Sequence, residues 1–152
     1  MSVTDALISR FRESHEEITA HTDAITHLES IQSPVAGHNS MHWIVGHIVV
    51  ARCNFLVFFD VPSIWDWPTC EHFIPGSAPS AAAAEHIAFS TLRADLDRTQ
   101  DFLVAALKRV TAEDLDAIQD GQTIGDHLAM YVAHEAHHAG QLETLRRALR
   151  ND

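Results

Sequence analysis

Residues 124–150 read IGDHLAMYVAHEAHHAGQLETLRRALR, and this stretch sets the architecture. Ile124, Leu128, Tyr131, His138, Leu142, Leu145 and Leu149 recur at the spacing of one helix face. Two heptad lines, 124-131-138-145 and 128-135-142-149, put His138 and Glu135 at seam positions. Thr123 with Asp126 is a start signal, so a helix over Ile124–Arg150 is predicted. Such a helix has one apolar stripe and is stable only when other elements cover it.

Working outward, three more helical segments can supply that cover. The first runs from about Val3 to Glu29, with Phe11, Ile18 and Ile25 seven apart, Leu7, Ile8 and Leu28 beside them, and a capping-box start at Ser2 and Asp5. The second, about 41–59, reads MHWIVGHIVVARCNFLVFF and is capped by Asn39 or Ser40. The third runs from about Ala81 to Val110, with Phe89, Leu92, Leu96, Leu103, Leu107 and Val110 at helical spacing. Thr111 and Asp114 cap a short turn, AEDLDAI, which QDGQ ends. Residues 60–80 hold four of the five prolines and cannot be one continuous helix. No convincing strand pattern, internal repeat or low-complexity tract beyond AAAA at 81–84 is found. The expectation is an all-α, single-domain protein over 1–152. Its form is a four-helix bundle whose long crossover between helices 2 and 3 leaves those helices free to run parallel.

Composition narrows the function. The 152 residues suit one domain. They carry 10 Lys+Arg against 21 Asp+Glu, a net charge of −11 that repels phosphate backbones and anionic lipid. Neither nucleic acid nor a membrane surface is expected as a partner. The start, MSVTDALISRFRESHEE, has charges where a signal peptide needs an apolar run, and Cys53 and Cys70 are too few for a disulfide scaffold; a cytoplasmic location is expected. The 41–59 stretch has nearly the length of a membrane span. However, it contains Arg52, whose type costs about 3 kcal/mol at mid-membrane, and is read as a helix buried by protein neighbours. Twelve histidines, more than all lysines and arginines together, are the unusual feature.

Their sharpest grouping is YVAHEAHHAGQ, 131–141. His134 and His138 are one turn apart and about 40° around the axis, so both imidazoles can reach one metal ion. His137 points about 100° away from His138, toward rim or solvent. The string also fits H-E-x-x-H, but Gln141 and Thr144 stand where an extended zinc-peptidase pattern needs Gly and His, and the visible chain offers no later carboxylate helix. Glu135-x-x-His138 is half of a ferritin-like di-metal site with no second copy, leaving a mononuclear site. A third ligand must come from a facing helix. His42 lies about 3 Å from the start of helix 2 and His47 about 10 Å; His134 and His138 lie at least about 15 Å from either end of helix 4. Depth therefore selects His47. His127, seven residues before His134, is too far along the helix to share the ion and is read as a hydrogen-bonding or surface residue.

With these residues in view, GQTIGDHLAMYVAHEAHHAGQLETLRRAL and MHWIVGHIVVARCNFL resemble the DinB/YfiT-like superfamily of bacterial metalloproteins, and the agreement extends over the Pro-rich middle and the TAEDLDA turn. The motif carrying it is a last-helix His-x-x-x-His followed by Gly-Gln, matched by His134, His138, Gly140 and Gln141; the helix-2 ligand falls on His47 within WIVGH. The departure is Ala139, where members often carry Arg. The resemblance implies an up-down-down-up, DinB-like bundle. It also implies kinship with thiol-dependent S-transferases and isomerases that use low-molecular-weight thiols such as bacillithiol or mycothiol.

Three imidazoles leave a divalent ion with open positions, the arrangement of a catalytic rather than a structural site. Zn or Ni is expected, with Fe and Cu also suited to the donor set. The leading expectation is a metal-dependent enzyme of S-transferase type, whose ion activates a cofactor thiol toward an electrophilic small-molecule substrate. A non-catalytic metal-binding or stress-associated module and a metal-dependent hydrolase use the same three histidines. Glu135 is the candidate orienter or base, Gln141 the candidate for ordering a metal-bound water, and Trp43 lines the cofactor side; with Trp65, Trp67 and Phe73 it can wall an apolar cleft. A homodimer is one arrangement open to a small bundle.

Overall fold

The computed structural model describes residues 1–77 and 87–151. Four long helices dominate these: α1 (Val3–Thr22), α2 (Met41–Leu56), α3 (Phe89–Leu107) and α4 (Ile124–Arg150). The expected caps form. Ser2 and Asp5 close a reciprocal capping box on α1, Ser40 accepts from the Trp43 amide on α2, and Thr123 accepts from the Asp126 amide on α4.

Four expectations are corrected. The first helix does not run to Glu29. It stops at Thr22, Ala24 turns left-handed with φ 56°, and Thr26 with Glu29 starts a separate turn, His27–Ser30, with its own capping box. The local cap outcompetes propagation, so Ile25 stays buried while Leu28 is 71% exposed. The second helix leaves α geometry at Leu56 and ends in a 3₁₀ turn, Val57–Phe59. The third begins at Phe89 rather than near Ala81, with residues 81–86 outside the described residues, and ends at Leu107. Ala88 cannot cap it by side chain; His27 does so from another part of the chain, its Nδ1 accepting from the Phe89 amide at 3.1 Å. Finally, QDGQ is more than a stop. Asp120 and Gly121, with φ 51° and 82°, turn a two-residue hairpin that pairs β1 (Ile118–Gln119) with β2 (Gln122–Thr123). Asp-Gly is a strong hairpin signal because both turn residues need positive φ.

Contacts along the helices fix their directions. His42 reaches Ile87 and Phe89, and Arg52 reaches Leu96 and Thr99, so α2 and α3 run parallel. His47 meets His138, and Phe55 meets Tyr131, so α4 is antiparallel to α2. His15 meets Asp97 and Asp23 meets Arg93, so α1 is antiparallel to α3. The path is up-down-down-up, the 57–88 crossover carrying the chain back so that α2 and α3 can run in the same direction.

The core is two apolar clusters. One gathers Ile18, Ile44, Ile48, Phe73, Phe89, Leu92 and Leu142; the other gathers Phe11, Phe55, Leu103, Leu107 and Leu128. Every long helix also contributes buried polar residues to a polar belt: Ser14, Arg52, Thr99, Gln100 and Glu135. The Met41–Phe59 segment, of mean hydropathy 1.5, is long and apolar enough to cross a bilayer by length and composition. Its window is 78% buried by the rest of the protein, which accounts for that hydropathy.

Candidate metal centre

Helices α2 and α4 cross with His47 facing His134 and His138. His47 Nε2 lies 2.9 Å from His134 Nε2, and His138 Nε2 lies 3.1 Å from the same atom. One nitrogen from each ring falls within 4.8 Å of the other two. His47 and His138 are buried and His134 half-buried. The set derived from helix depth and spacing is thus the set that the fold brings together. His42, set aside on depth, also faces another seam, donating from Nε2 to the Ile87 carbonyl at 2.8 Å. His137 is exposed, and His127 donates to the Gln119 carbonyl at 2.8 Å.

The donor set fits a metal ion. A carbonyl oxygen only accepts, so His47 must carry its proton on Nδ1 to bond Phe73 O at 2.8 Å. His138 likewise donates from Nδ1 to Gln141 Oε1 at 2.7 Å. Each neutral ring therefore presents a bare lone pair at Nε2, and both lone pairs point at the third ring. One proton on His134 cannot satisfy the two equally, whereas a cation satisfies all three. With metal–nitrogen bonds of about 2.0–2.1 Å, ligand nitrogens at 90° to tetrahedral angles sit about 2.9–3.4 Å apart, the range of the two separations from His134 Nε2. Burial, followed by the neighbouring His47 and His137, pushes His134 down to about 4. Burial, with its fellow histidines, does the same to His138 against the opposing bond to Gln141. Desolvation lowers His47 as well. All three rings are held in the neutral form that ligation requires. Behind His134 there is no such support: its Nδ1 is buried and makes no hydrogen bond.

The neighbours expected from sequence take different posts. Gln141 orients His138 directly, through the bond just described. Trp43 stacks on His47, centroids 4.7 Å apart and planes 13° from parallel, and its Nε1–H donates to Ser77 Oγ at 2.9 Å. The four aromatics do not form one wall. Phe73 is fully buried, Trp65 donates to Asp95, and Trp67 is 61% exposed. Glu135 is committed elsewhere: its two oxygens accept from Arg52 Nε at 2.6 Å and Nη2 at 2.9 Å, while Arg52 Nη1 donates to Leu96 O at 2.9 Å. The partner that sequence reasoning missed was Arg52. The signal was present, since a carboxylate on the buried seam of α4 needs a cation and Arg52 is the cation within the most apolar helix. Ala139 is fully buried in the core.

The sequence profile of the DinB superfamily matches residues 10–142. No curated protein matches the sequence. Among solved structures, a conserved protein from Enterococcus faecalis superposes with a TM-score of 0.81 at 18% identity, covering 100% of this chain and 99% of that one, a likeness of fold. The bundle path, the helix-borne histidine cluster and the profile match over most of the chain together make this protein a member of the DinB superfamily.

Proposed function

We propose that the protein binds one divalent transition-metal ion through His47, His134 and His138 and uses it to activate a low-molecular-weight thiol toward an electrophilic small molecule. The observation that carries the metal reading is the meeting of three Nε2 atoms, two of them fixed as lone pairs by Nδ1–H bonds to Phe73 O and Gln141 Oε1. Three neutral protein ligands leave an ion with open positions and its full positive charge, which lowers the pKa of a thiol or water brought to it.

The bidentate bond to Arg52 supports the thiol form of the reaction over a hydrolase. It occupies Glu135, the carboxylate on the α4 seam beside the histidines that could have served as a general base for water. A thiol, whose own pKa is much closer to neutrality, asks less of such a base. In the overall reaction the thiol proton passes to solvent, a sulfur–carbon bond forms, and a carbon–chlorine bond breaks with loss of chloride. Metal-loaded protein is incubated with a chlorinated electrophile and bacillithiol, mycothiol or glutathione, beside His47→Ala. A thiol adduct formed by the loaded protein and absent from His47→Ala supports the reading. If adduct stays at background with all three thiols, the S-transferase assignment falls and a non-catalytic metal-binding role replaces it.

A further inference from the structure

His47 is held by a short piece of the crossover, and one glycine makes that grip feasible. Phe73 meets α2 twice. Its carbonyl accepts the Nδ1–H of His47 at 2.8 Å, and its ring lies flat over Gly46. A Cβ at position 46 would fall 2.2 Å from Phe73 Cδ1 and 2.4 Å from Cε1, well inside any real contact. The ring is fully buried and cannot swing aside without moving its own backbone. Four residues on, Ser77 accepts from Trp43 Nε1, and its hydroxyl donates back into the turn, to Ile74 O at 2.6 Å. Trp43 in turn is the ring stacked on His47. The turn over residues 71–77 therefore grips the imidazole at its Nδ1 edge and, through Trp43, on its face.

We propose that this turn is a positioning clasp for the metal centre, with Gly46 and Phe73 as positioning residues that set the tautomer and orientation of His47. With Nδ1–H held by the Phe73 carbonyl, the Nε2 lone pair is aimed at His134 and His138. Without that acceptor the ring is free to rotate, or to place its proton on Nε2, where it cannot ligate. Gly46→Ala drives the Phe73 ring off the helix and carries the carbonyl of the same residue with it. The inference rests on the metal reading above.

The test pairs metal affinity with a signal that needs no metal. Zinc affinity is measured by competition with a chromophoric chelator, Co²⁺ visible absorption reports coordination geometry, and ¹⁵N-edited NMR of the metal-free protein follows the slowly exchanging Nδ1–H of His47. Gly46→Ala is expected to bind zinc about 10- to 100-fold more weakly, the usual loss when an outer partner of a ligand is disturbed, with an altered Co²⁺ spectrum and no protected His47 Nδ1–H. Gly46→Ala with Phe73→Ala removes the ring that the new methyl strikes and keeps the backbone carbonyl, so affinity and NMR signal return to within a few-fold of wild type. A Gly46→Ala protein that is less heat-stable yet keeps zinc affinity, Co²⁺ spectrum and NMR signal reduces the clasp to packing and overturns the proposal. If Gly46→Ala does not fold, Trp43→Phe keeps an aromatic ring beside His47 and loses the bond to Ser77 together with part of the indole surface. Weaker zinc binding then supports the clasp, and unchanged affinity overturns it. Wild-type protein that takes up no zinc overturns the metal reading instead, and the Nδ1–H signal alone then decides whether the clasp exists.

Discussion

Replacing Glu135 by Gln leaves the Arg52 guanidinium without its anion where neither side chain meets water, their exposures being 0% and 2%. The amide keeps one oxygen for Arg52 Nε but turns an N–H group toward Nη2, donor against donor. Leu96 O and Thr99 Oγ1, 2.9 and 3.5 Å from Nη1, already serve the other side of the guanidinium and cannot compensate. Removing one member of a buried pair costs about 3–5 kcal/mol. At about 2–4 °C per kcal/mol for a domain of this size, Tm falls by about 6–20 °C, a large share of a total stability of about 5–15 kcal/mol. The assay is urea unfolding of metal-free protein at neutral pH, followed by far-UV circular dichroism, for wild type, Glu135→Gln, Arg52→Met and Arg52→Met/Glu135→Leu. The double variant removes both charges and keeps apolar volume, so it is expected within about 1 kcal/mol of wild type or above it, in line with replacements of buried ion pairs elsewhere. The single-variant costs then exceed the double-variant cost by about 2 kcal/mol or more, the sign of direct coupling. A Glu135→Gln loss below about 1 kcal/mol, or strictly additive costs, would show that water reaches the pair.

Three further outcomes are expected. The metal-free protein loses stability on acidification from about pH 6.5 to about 4: above that window the rings of His134 and His138 are neutral both folded and unfolded, and within it only the unfolded chain takes up protons. The slope is at most about 1.4 kcal/mol per pH unit per ring, and urea midpoints that stay flat across the window, or match those of His138→Ala, contradict it. Gln141→Ala removes the acceptor that orients His138 and weakens zinc binding about 10- to 100-fold, whereas Gln141→Glu, which keeps an acceptor, retains it; equal affinities for all three proteins would strip Gln141 of that role. His27→Ala removes the cap that the chain itself cannot supply at Ala88, costs about 0.5–2 kcal/mol and speeds amide exchange in the first turn of α3; unchanged exchange there refutes the capping role.

The polar belt also bears on how the site is built. Arg52 joins α2 to α4 through Glu135 and to α3 through the Leu96 carbonyl. Glu135 lies between His134 and His138 in sequence, so the same short stretch of α4 carries both the ligands and the anchor that registers it against α2. A one-residue slip of α4 would separate Glu135 from Arg52 and the histidines from His47 together. The buried pair therefore holds the register that the site requires, a use of buried charge attested in other systems.

Much of this was legible in one dimension. Apolar period, capping residues and the proline-rich break are local features, and they foretold four helices, a long crossover and the exact extent of α4. The i, i+4 geometry of a helix brings His134 and His138 together whatever surrounds them, and depth along the rods was enough to choose His47 over His42. Other features had no local signal. The first helix breaks because a second capping box competes with the apolar stripe, and α3 starts where His27, far away in sequence, offers a lone pair. The partner of Glu135, the clasp of Phe73 on His47 and the post taken by Trp43 depend on which faces the bundle turns inward. Periodicity cannot answer that for α2, where nearly every residue is buried. Sequence alone determined what each helix is and which donors it carries; the tertiary structure decided which atoms of those donors meet, because hydrogen bonds and ion pairs across helices depend on register and rotation that only packing sets.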